Sequence, residues 1–232
     1  MNAESLLLAA ALSGSAAIAC EVKAARSGRR PALFHLLKPA TTILITLSLF
    51  AHPDPPARLL VAAYVFALVG DIALMFDGDG AFLTGLGSFF IAHVAFVAVF
   101  AAGGSVSSMT PPTWTAGMIV YALGFFAWLL PHTGDLKVPV VAYGAVLTVM
   151  TLAAATAHSQ LGTPSARLAL VGALFFVASD SALAVRRFRG LYTLAEPLIL
   201  STYWTAIALI AISRWPQVLG HVRFAGKDHG EL

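Results

Sequence analysis

Charged residues are scarce in this sequence, and that scarcity decides the class of protein. Only 11% of the 232 residues are Asp, Glu, Lys or Arg, whereas 59% are hydrophobic. A soluble domain of this length has too small a core to bury so much apolar surface, so the composition excludes an ordinary soluble protein. The net charge of +3 is explained by basic residues that flank apolar stretches, and no nucleic-acid partner is expected.

Cysteine and the common cofactor and metal motifs are missing as well. Cys20 is the single cysteine, which excludes an intramolecular disulfide. No glycine-rich segment leads into GKS or GKT, no HExxH is present, and the turn from Asp77 to Gly80 lacks the remaining ligands of a calcium loop. The sequence therefore predicts no cofactor and no bound metal. A metal site assembled from separate helices stays an alternative.

The chain instead contains about eight continuously apolar stretches. Each has roughly the 20 residues that a helix needs to cross a hydrocarbon core of about 30 Å. Apolar and polar residues do not alternate along them as they do in barrel strands, and this absence of alternation favours helices. The stretches run approximately over 4–23, 33–51, 57–76, 81–102, 114–130, 138–157, 166–185 and 191–213. We predict an all-α polytopic membrane helix bundle, with a single transmembrane domain over 1–215 and a polar C-terminal tail over 216–232.

The charges beside these stretches predict an orientation. Glu4 precedes the first stretch and its basic residues follow it, so this stretch reads as a retained helix rather than an export signal. With the amino terminus outside, the loops on the cytoplasmic side hold eight basic residues and the opposite side holds five. The basic C-terminal tail argues against this orientation. We expect an integral protein of a bacterial cytoplasmic membrane.

Four ionisable residues lie inside the apolar stretches, where each costs at least about 2.5–3.5 kcal/mol on insertion scales. They are Lys38, Asp71, Asp180 and Glu196. Each lies roughly five residues inside the end of its helix, and these four helix ends are on the same side of the membrane. At 1.5 Å per residue, all four side chains are therefore about 8 Å deep. Reversing the topology moves all four together, so the sequence predicts one polar layer.

Two of these residues also have a purely structural interpretation. Lys38 is shallow enough to reach the headgroups with its long side chain, and Glu196 is placed to cap the last helix. The aspartates have short side chains, and a small residue, Gly70 or Ser179, precedes each and lets another helix or a ligand approach. The two aspartates are therefore the stronger functional candidates.

Three uncharged residues complete the candidates. His93 lies near the middle of the fourth stretch, where a histidine makes either an interhelical hydrogen bond or a catalytic or substrate-orienting contact. Tyr203 and Trp204 in the eighth stretch either line a pocket or pack in the core, and packing is the favoured role of Trp204.

Five segments, in their order and spacing, carry a resemblance to a known family. They are Lys38-Pro-Ala-Thr-Thr42, Gly70-Asp71-Ile-Ala-Leu74, Phe82-x-x-Gly85 leading through Ser88-Phe89 to His93, Ser179-Asp180, and Tyr203-Trp204. Together they resemble the YhhN-type lysoplasmalogenase family. Two positions depart from its pattern, because Ile207 stands where a Gln is expected and Phe96 where a Tyr is common. The resemblance implies hydrolysis of the vinyl ether bond of a lysoplasmalogen, a lysophospholipid, to a fatty aldehyde and a glycerophospho-alcohol.

That reaction suits a pair of carboxyl groups. A vinyl ether is protonated at carbon to an oxocarbenium ion, which water attacks before the hemiacetal collapses. Asp71 and Asp180, sharing one proton, would supply the acid and the base, as carboxyl pairs do in glycosidases. Lys38 is the candidate for holding the headgroup phosphate, and the other expected substrate-binding residues are His93, Glu196 and Tyr203.

Two rival functions fit the same residues. One is a proton- or cation-coupled transporter or a lipid-binding membrane protein, because intramembrane aspartates also carry protons and cations. The other is a metal-dependent intramembrane hydrolase that uses His93 with the aspartates.

Overall fold

The computed structural model describes residues 2–27, 31–51, 55–102, 110–190, 192 and 194–214, and within them all regular structure is helical. The eight α-helices are α1 (Ala3–Ser27), α2 (Ala32–Ser48), α3 (Arg58–Ala73), α4 (Asp79–Ala102), α5 (Ala116–Leu129), α6 (Lys137–Leu161), α7 (Pro164–Phe188) and α8 (Ala195–Ile212). Short 3-10 turns flank α5. The predicted all-α fold is confirmed, and the predicted tail over 216–232 lies outside the described residues.

The described helices have the lengths of a polytopic membrane protein. Six helical segments are long and apolar enough to cross a bilayer, namely α1, α4, α7, α8 and the segments Thr113–His132 and Gly134–Leu161. The helices α2 and α3 have 17 and 16 residues. At 1.5 Å per residue they reach about 25 Å, slightly less than a typical hydrocarbon core. The predicted helix bundle is confirmed with these two as its short members, while its orientation stays a prediction.

Turn-forming residues set the end of α6 and the start of α7, at the far end of α7 from Asp180. The side chain of Thr163 accepts a hydrogen bond from the backbone N–H of Ala166, and Pro164 occupies the first turn of α7, where its missing N–H costs nothing. Gly162, with a φ of +60°, ends α6 in the left-handed conformation. The short connection between them returns the chain into the bundle as α7.

Small residues allow close contacts between the helices that carry the site. A Cβ added to Gly172 of α7 would lie 2.9 Å from the carbonyl oxygen of Ala206 in α8. A Cβ added to Gly70 of α3 would lie 2.5 Å from the ring of Phe89 in α4. Without a hydrophobic driving force in lipid, such close packing is what holds membrane helices together. The pairs α3–α4 and α7–α8 are accordingly among the most closely packed in the molecule.

The apolar core is built from every described α-helix except α5. Tyr64, Phe96 and Phe176 are fully buried there. The hydroxyl of Tyr64 donates to the carbonyl of Ile207 at 2.5 Å, which satisfies a polar group in the apolar interior and ties α3 to α8. By contrast, α5 lies at the periphery, because Leu129 is the single buried residue among its described positions.

Candidate active site

A cavity of about 210 Å³ lies at the end of the bundle where α3 and α7 finish and α2 and α8 begin. Among its lining residues are five of the six candidates from the sequence: Lys38, Asp71, Asp180, Glu196 and Tyr203. The polar layer expected from helix depth is therefore a cavity wall in the structure. His93 does not line the cavity, but it contacts two residues that do, Phe89 and Asp180.

Asp71 occupies the last turn of α3 and is held by a chain of hydrogen bonds. The hydroxyl of Thr42 in α2 donates to its Oδ2 at 2.5 Å, and the indole N–H of Trp204 in α8 donates to the Thr42 oxygen at 3.3 Å. Three helices therefore fix the orientation of one carboxyl group. Trp204 thus orients the site as well as packing in the core.

Asp180, in the second half of α7, is held from α6. The hydroxyl of Tyr143 donates to Oδ2 of Asp180 at 2.7 Å. Ser179, the residue before it, donates to the carbonyl of Ile199 at 3.1 Å and so binds α7 to α8 beside the cavity. Both aspartates therefore have one oxygen fixed by a hydroxyl from a neighbouring helix.

His93 presents a lone pair towards Asp180. Its Nδ1 lies 2.6 Å from the carbonyl oxygen of Phe89, and because a carbonyl only accepts, Nδ1 carries the proton. In the neutral ring Nε2 is then an acceptor. This atom is buried, has no hydrogen-bond partner among the described residues, and lies 3.7 Å from Oδ2 of Asp180. The interhelical hydrogen bond considered from the sequence is thus replaced by a bond within α4 and an open acceptor facing α7.

Lys38 is the buried cation of the site. Its side chain is only 4% exposed and lines the cavity. It interacts electrostatically with Asp71, yet it forms no salt bridge with any described residue. A buried ammonium group without an ion-pair partner is suited to an anionic ligand.

Two arginines stand at the mouth of the cavity, and each is already paired. Arg186 forms a salt bridge with Glu196, which explains why a carboxylate is tolerated at the start of α8. Arg187 pairs with Asp79 and lies 4.8 Å from the ring centre of Phe82. Glu196 therefore lines the cavity as half of an ion pair.

Tyr203 forms part of the apolar wall between the two aspartates' helices. Its ring packs edge-to-face on Phe89 at 5.6 Å and on Phe176 at 5.8 Å. Its hydroxyl is buried close to Asp71 and Thr42, but it forms no hydrogen bond of ordinary geometry with a described residue. A ligand oxygen is the natural partner for such a group.

Comparison with known proteins decides the family. The YhhN family model matches residues 33–214, which contain all six candidate residues. This chain belongs to the YhhN family. No solved structure matches it.

Named relatives of this YhhN family member come from bacteria and animals. The chain is 32% identical over 168 residues to a lysoplasmalogenase of Mycobacterium tuberculosis, which covers 69% of this chain and 62% of that protein. It is 29% identical over 171 residues to human lysoplasmalogenase TMEM86A, covering 71% and 68% of the two chains. It is 31% identical over 158 residues to human lysoplasmalogenase TMEM86B, covering 67% and 63%. The match thus spans somewhat less than two thirds of the mycobacterial protein.

The two departures from the YhhN pattern fall in the apolar core. Phe96 and Ile207 are both fully buried, and neither lines the cavity. Their apolar side chains therefore leave the polar lining of the site unchanged.

Sequence reasoning missed several residues of this YhhN site. Tyr143 was missed because a tyrosine in an apolar helix is usually a packing residue. Arg186 was missed because it was considered only as one of the basic residues that set the membrane orientation. Thr42 ends the segment Lys38-Pro-Ala-Thr-Thr42, but no role was predicted for it. Among the described residues, no group of three or more His, Cys, Asp or Glu side chains is placed to hold a metal ion.

Proposed function

We propose that this protein is a membrane hydrolase that cleaves the vinyl ether bond of a lysoplasmalogen to a fatty aldehyde and a glycerophospho-alcohol. The relatives named lysoplasmalogenase support the substrate. The observation that carries the chemistry is that Asp71 and Asp180 line one cavity, and that each has one carboxyl oxygen held by a hydrogen bond from a neighbouring helix.

The proposed reaction needs one acid, one base and one water molecule. The acid protonates the vinyl carbon that is not bonded to oxygen, which leaves an oxocarbenium ion at the other vinyl carbon. Water adds to that carbon and gives its proton to the carboxylate. The hemiacetal then collapses: its hydroxyl proton passes to the glycerol oxygen, and the C–O bond breaks to release the aldehyde. The proton taken from water returns to the acid, which restores both carboxyl groups for the next turnover.

The surroundings of the two carboxyl groups suggest how they divide the work. Lys38 and the Thr42 hydroxyl both stabilise a negative charge on Asp71, so Asp71 is the proposed carboxylate that stabilises the cation and accepts the proton from water. Asp180 takes a hydrogen bond from Tyr143 but, unlike Asp71, has no cation beside it among the described residues, and the buried lone pair on His93 Nε2 disfavours a negative charge there. Asp180 is therefore the proposed acid.

The remaining residues are proposed to hold the substrate. The unpaired ammonium of Lys38 binds the phosphate of the headgroup, and the free hydroxyl of Tyr203 binds an oxygen near the vinyl ether. His93 orients Asp180. Glu196 contributes through Arg186, because the salt bridge holds that arginine at the cavity mouth where an anionic headgroup enters.

A turnover assay tests this function. Purified protein in detergent is incubated with a lysoplasmalogen, with and without a chelator, and the aldehyde is measured. The control substrate is the saturated 1-alkyl analogue, which has no double bond to protonate. Aldehyde released only from the lysoplasmalogen and unaffected by chelator supports the proposal. Loss of turnover with chelator would favour a metal-dependent hydrolase, and no aldehyde at all would favour transport or lipid binding.

A further inference from the structure

A second, mostly apolar cavity of about 60 Å³ meets the active site at Asp180. It lies between α5, α6 and α7. Ala122 and Phe125 line it from α5, Leu147 from α6, and Val177 and Ala184 from α7. Asp180 is the one residue that lines both this groove and the polar cavity in the part of the chain that the structure describes.

The groove faces the surroundings of the bundle. It is formed against α5, the peripheral helix, and its lining residues Ala122, Phe125 and Ala184 stay partly exposed. The outer face of α5 carries Val120 and Leu123, which are 69% and 65% exposed. In a membrane-spanning bundle such a face contacts lipid tails, so the groove opens towards the hydrocarbon.

Hydrogen bonds hold this junction in place. Tyr121 of α5 donates to the hydroxyl of Ser181 at 2.8 Å, directly after Asp180 in α7. Tyr143 lines the groove with its ring while its hydroxyl binds Asp180. The apolar groove and the reactive carboxyl are thus parts of one fixed arrangement.

We propose that the groove binds the first carbons of the substrate's alkenyl chain, whose remainder extends into the bilayer. This proposal rests on the proposed function. A lysoplasmalogen has an anionic headgroup and a hydrocarbon chain, joined through the bond to be cleaved. The polar cavity with Lys38 lies on one side of Asp180 and the apolar groove on the other, so a molecule of that chemistry bound across both carries its vinyl ether at Asp180. The groove then positions the double bond and admits substrate sideways from the membrane.

Filling the groove tests the proposal. Ala122→Trp places a large ring in the groove, and Val120→Trp places the same ring on the exposed lipid face of the same helix as the matched control. The two substrates are a long-chain lysoplasmalogen and a short analogue whose ethenyl ether carries no carbon beyond the double bond. We expect Ala122→Trp to lower kcat/KM for the long-chain substrate about 10- to 100-fold, because the bond is displaced from the carboxyl pair. The short analogue should be cleaved as by the unaltered protein, and Val120→Trp should change neither rate.

Equal loss on both substrates, or no loss on the long one, would overturn the proposal. If Ala122→Trp does not fold, Ala184→Phe fills the groove from the opposite wall and replaces it in the same comparison.

A binding measurement separates this proposal from the proposed function. A long-chain lysophosphatidylcholine with a diazirine near the start of its chain is photo-crosslinked to the unaltered protein, and the labelled peptides are identified by mass spectrometry. We expect labels on α5, α6 and α7 that Ala122→Trp removes and Val120→Trp leaves. This result would support the groove even if no aldehyde were released. Labels confined to other helices would overturn it even if hydrolysis were normal.

Discussion

The Nε2 atom of His93 lies 3.7 Å from Oδ2 of Asp180, and the other ring nitrogen, Nδ1, donates a hydrogen bond to the Phe89 carbonyl. This distance is too long for a hydrogen bond but short enough for the lone pair on Nε2 to act on the carboxyl group. Tyr143 donates to the same oxygen of Asp180. The ring of His93 packs edge-to-face on Tyr143 at 5.4 Å, so the three side chains form one unit behind the cavity.

Replacing His93 tests whether this unit positions the acid. We expect His93→Gln to lower kcat by up to about 100-fold with little change in KM, because a misoriented acid slows proton transfer without weakening headgroup binding. Steady-state kinetics on purified protein gives both values. The control is His158→Gln, which changes a histidine near the end of α6 that does not line the cavity. A rise in KM with unchanged kcat would assign His93 to substrate binding instead.

Thr42 links two other parts of the site. It donates to Asp71 and accepts from Trp204, so Thr42→Val leaves both groups without this partner. We expect unfolding stability to fall by about 1–3 kcal/mol, since buried polar groups lose their hydrogen bonds. We also expect kcat to fall, because the carboxyl of Asp71 is no longer held in place. Activity assays and thermal unfolding in detergent measure the two effects.

Thr46→Val is the matched control for Thr42, one turn further along α2. The Thr46 hydroxyl donates to the carbonyl of Thr42 within its own helix. This variant should keep normal kcat. Normal kcat in Thr42→Val as well would show that the hydrogen bond does not orient the catalytic carboxyl.

Lys38 is expected to act in binding. Lys38→Met keeps most of the apolar stem and removes the charge. KM should rise more than kcat falls, because the phosphate contact is made equally in the ground and transition states, whereas the carboxylate of Asp71 keeps its hydrogen bond from Thr42. Substrate titration of initial rates measures this split. The control is Lys137→Met, which removes an exposed lysine at the start of α6. Loss of kcat with an unchanged KM would contradict the assignment.

The helices could be predicted from the sequence because length and apolar character alone identify membrane spans. Depth along those spans also predicted that Lys38, Asp71, Asp180 and Glu196 share one layer, and in the structure all four line one cavity. Depth does not give the angular position of a side chain, however. The contact between Tyr143 and Asp180 was therefore not predictable.

The position of each helix within the bundle, central or peripheral, was equally unpredictable from the sequence. In an apolar helix the lipid-facing and protein-facing sides have similar composition, so nothing in the sequence of α5 marks it as peripheral. The pairing of Arg186 with Glu196 was missed for a related reason, since it depends on how the short connection between α7 and α8 brings two helix ends together.

The carboxyl pair itself is tested by Asp71→Asn and Asp180→Asn. Each amide keeps the shape and hydrogen-bonding capacity of the side chain but cannot transfer a proton. We expect each variant to fold and to lose about 10²–10⁴-fold in kcat. The double variant should be little worse than either single variant, because removing one member already disables the pair. Asp135→Asn, at an exposed position before α6, is the control that should keep full activity.

Hydrolysis in heavy water shows whether a proton reaches the vinyl carbon from Asp180. The unaltered protein and the Asp180→Asn variant are each incubated with a lysoplasmalogen in D₂O. The released aldehyde is reduced at once to the alcohol, and the deuterium content of the alcohol is measured by mass spectrometry. The unaltered protein should give an aldehyde with one deuterium on the carbon next to the carbonyl, because the acid delivers its exchangeable proton there. The variant should release aldehyde only at the background rate. Aldehyde without that deuterium, or equal release by both proteins, would contradict proton transfer from Asp180 to the vinyl carbon.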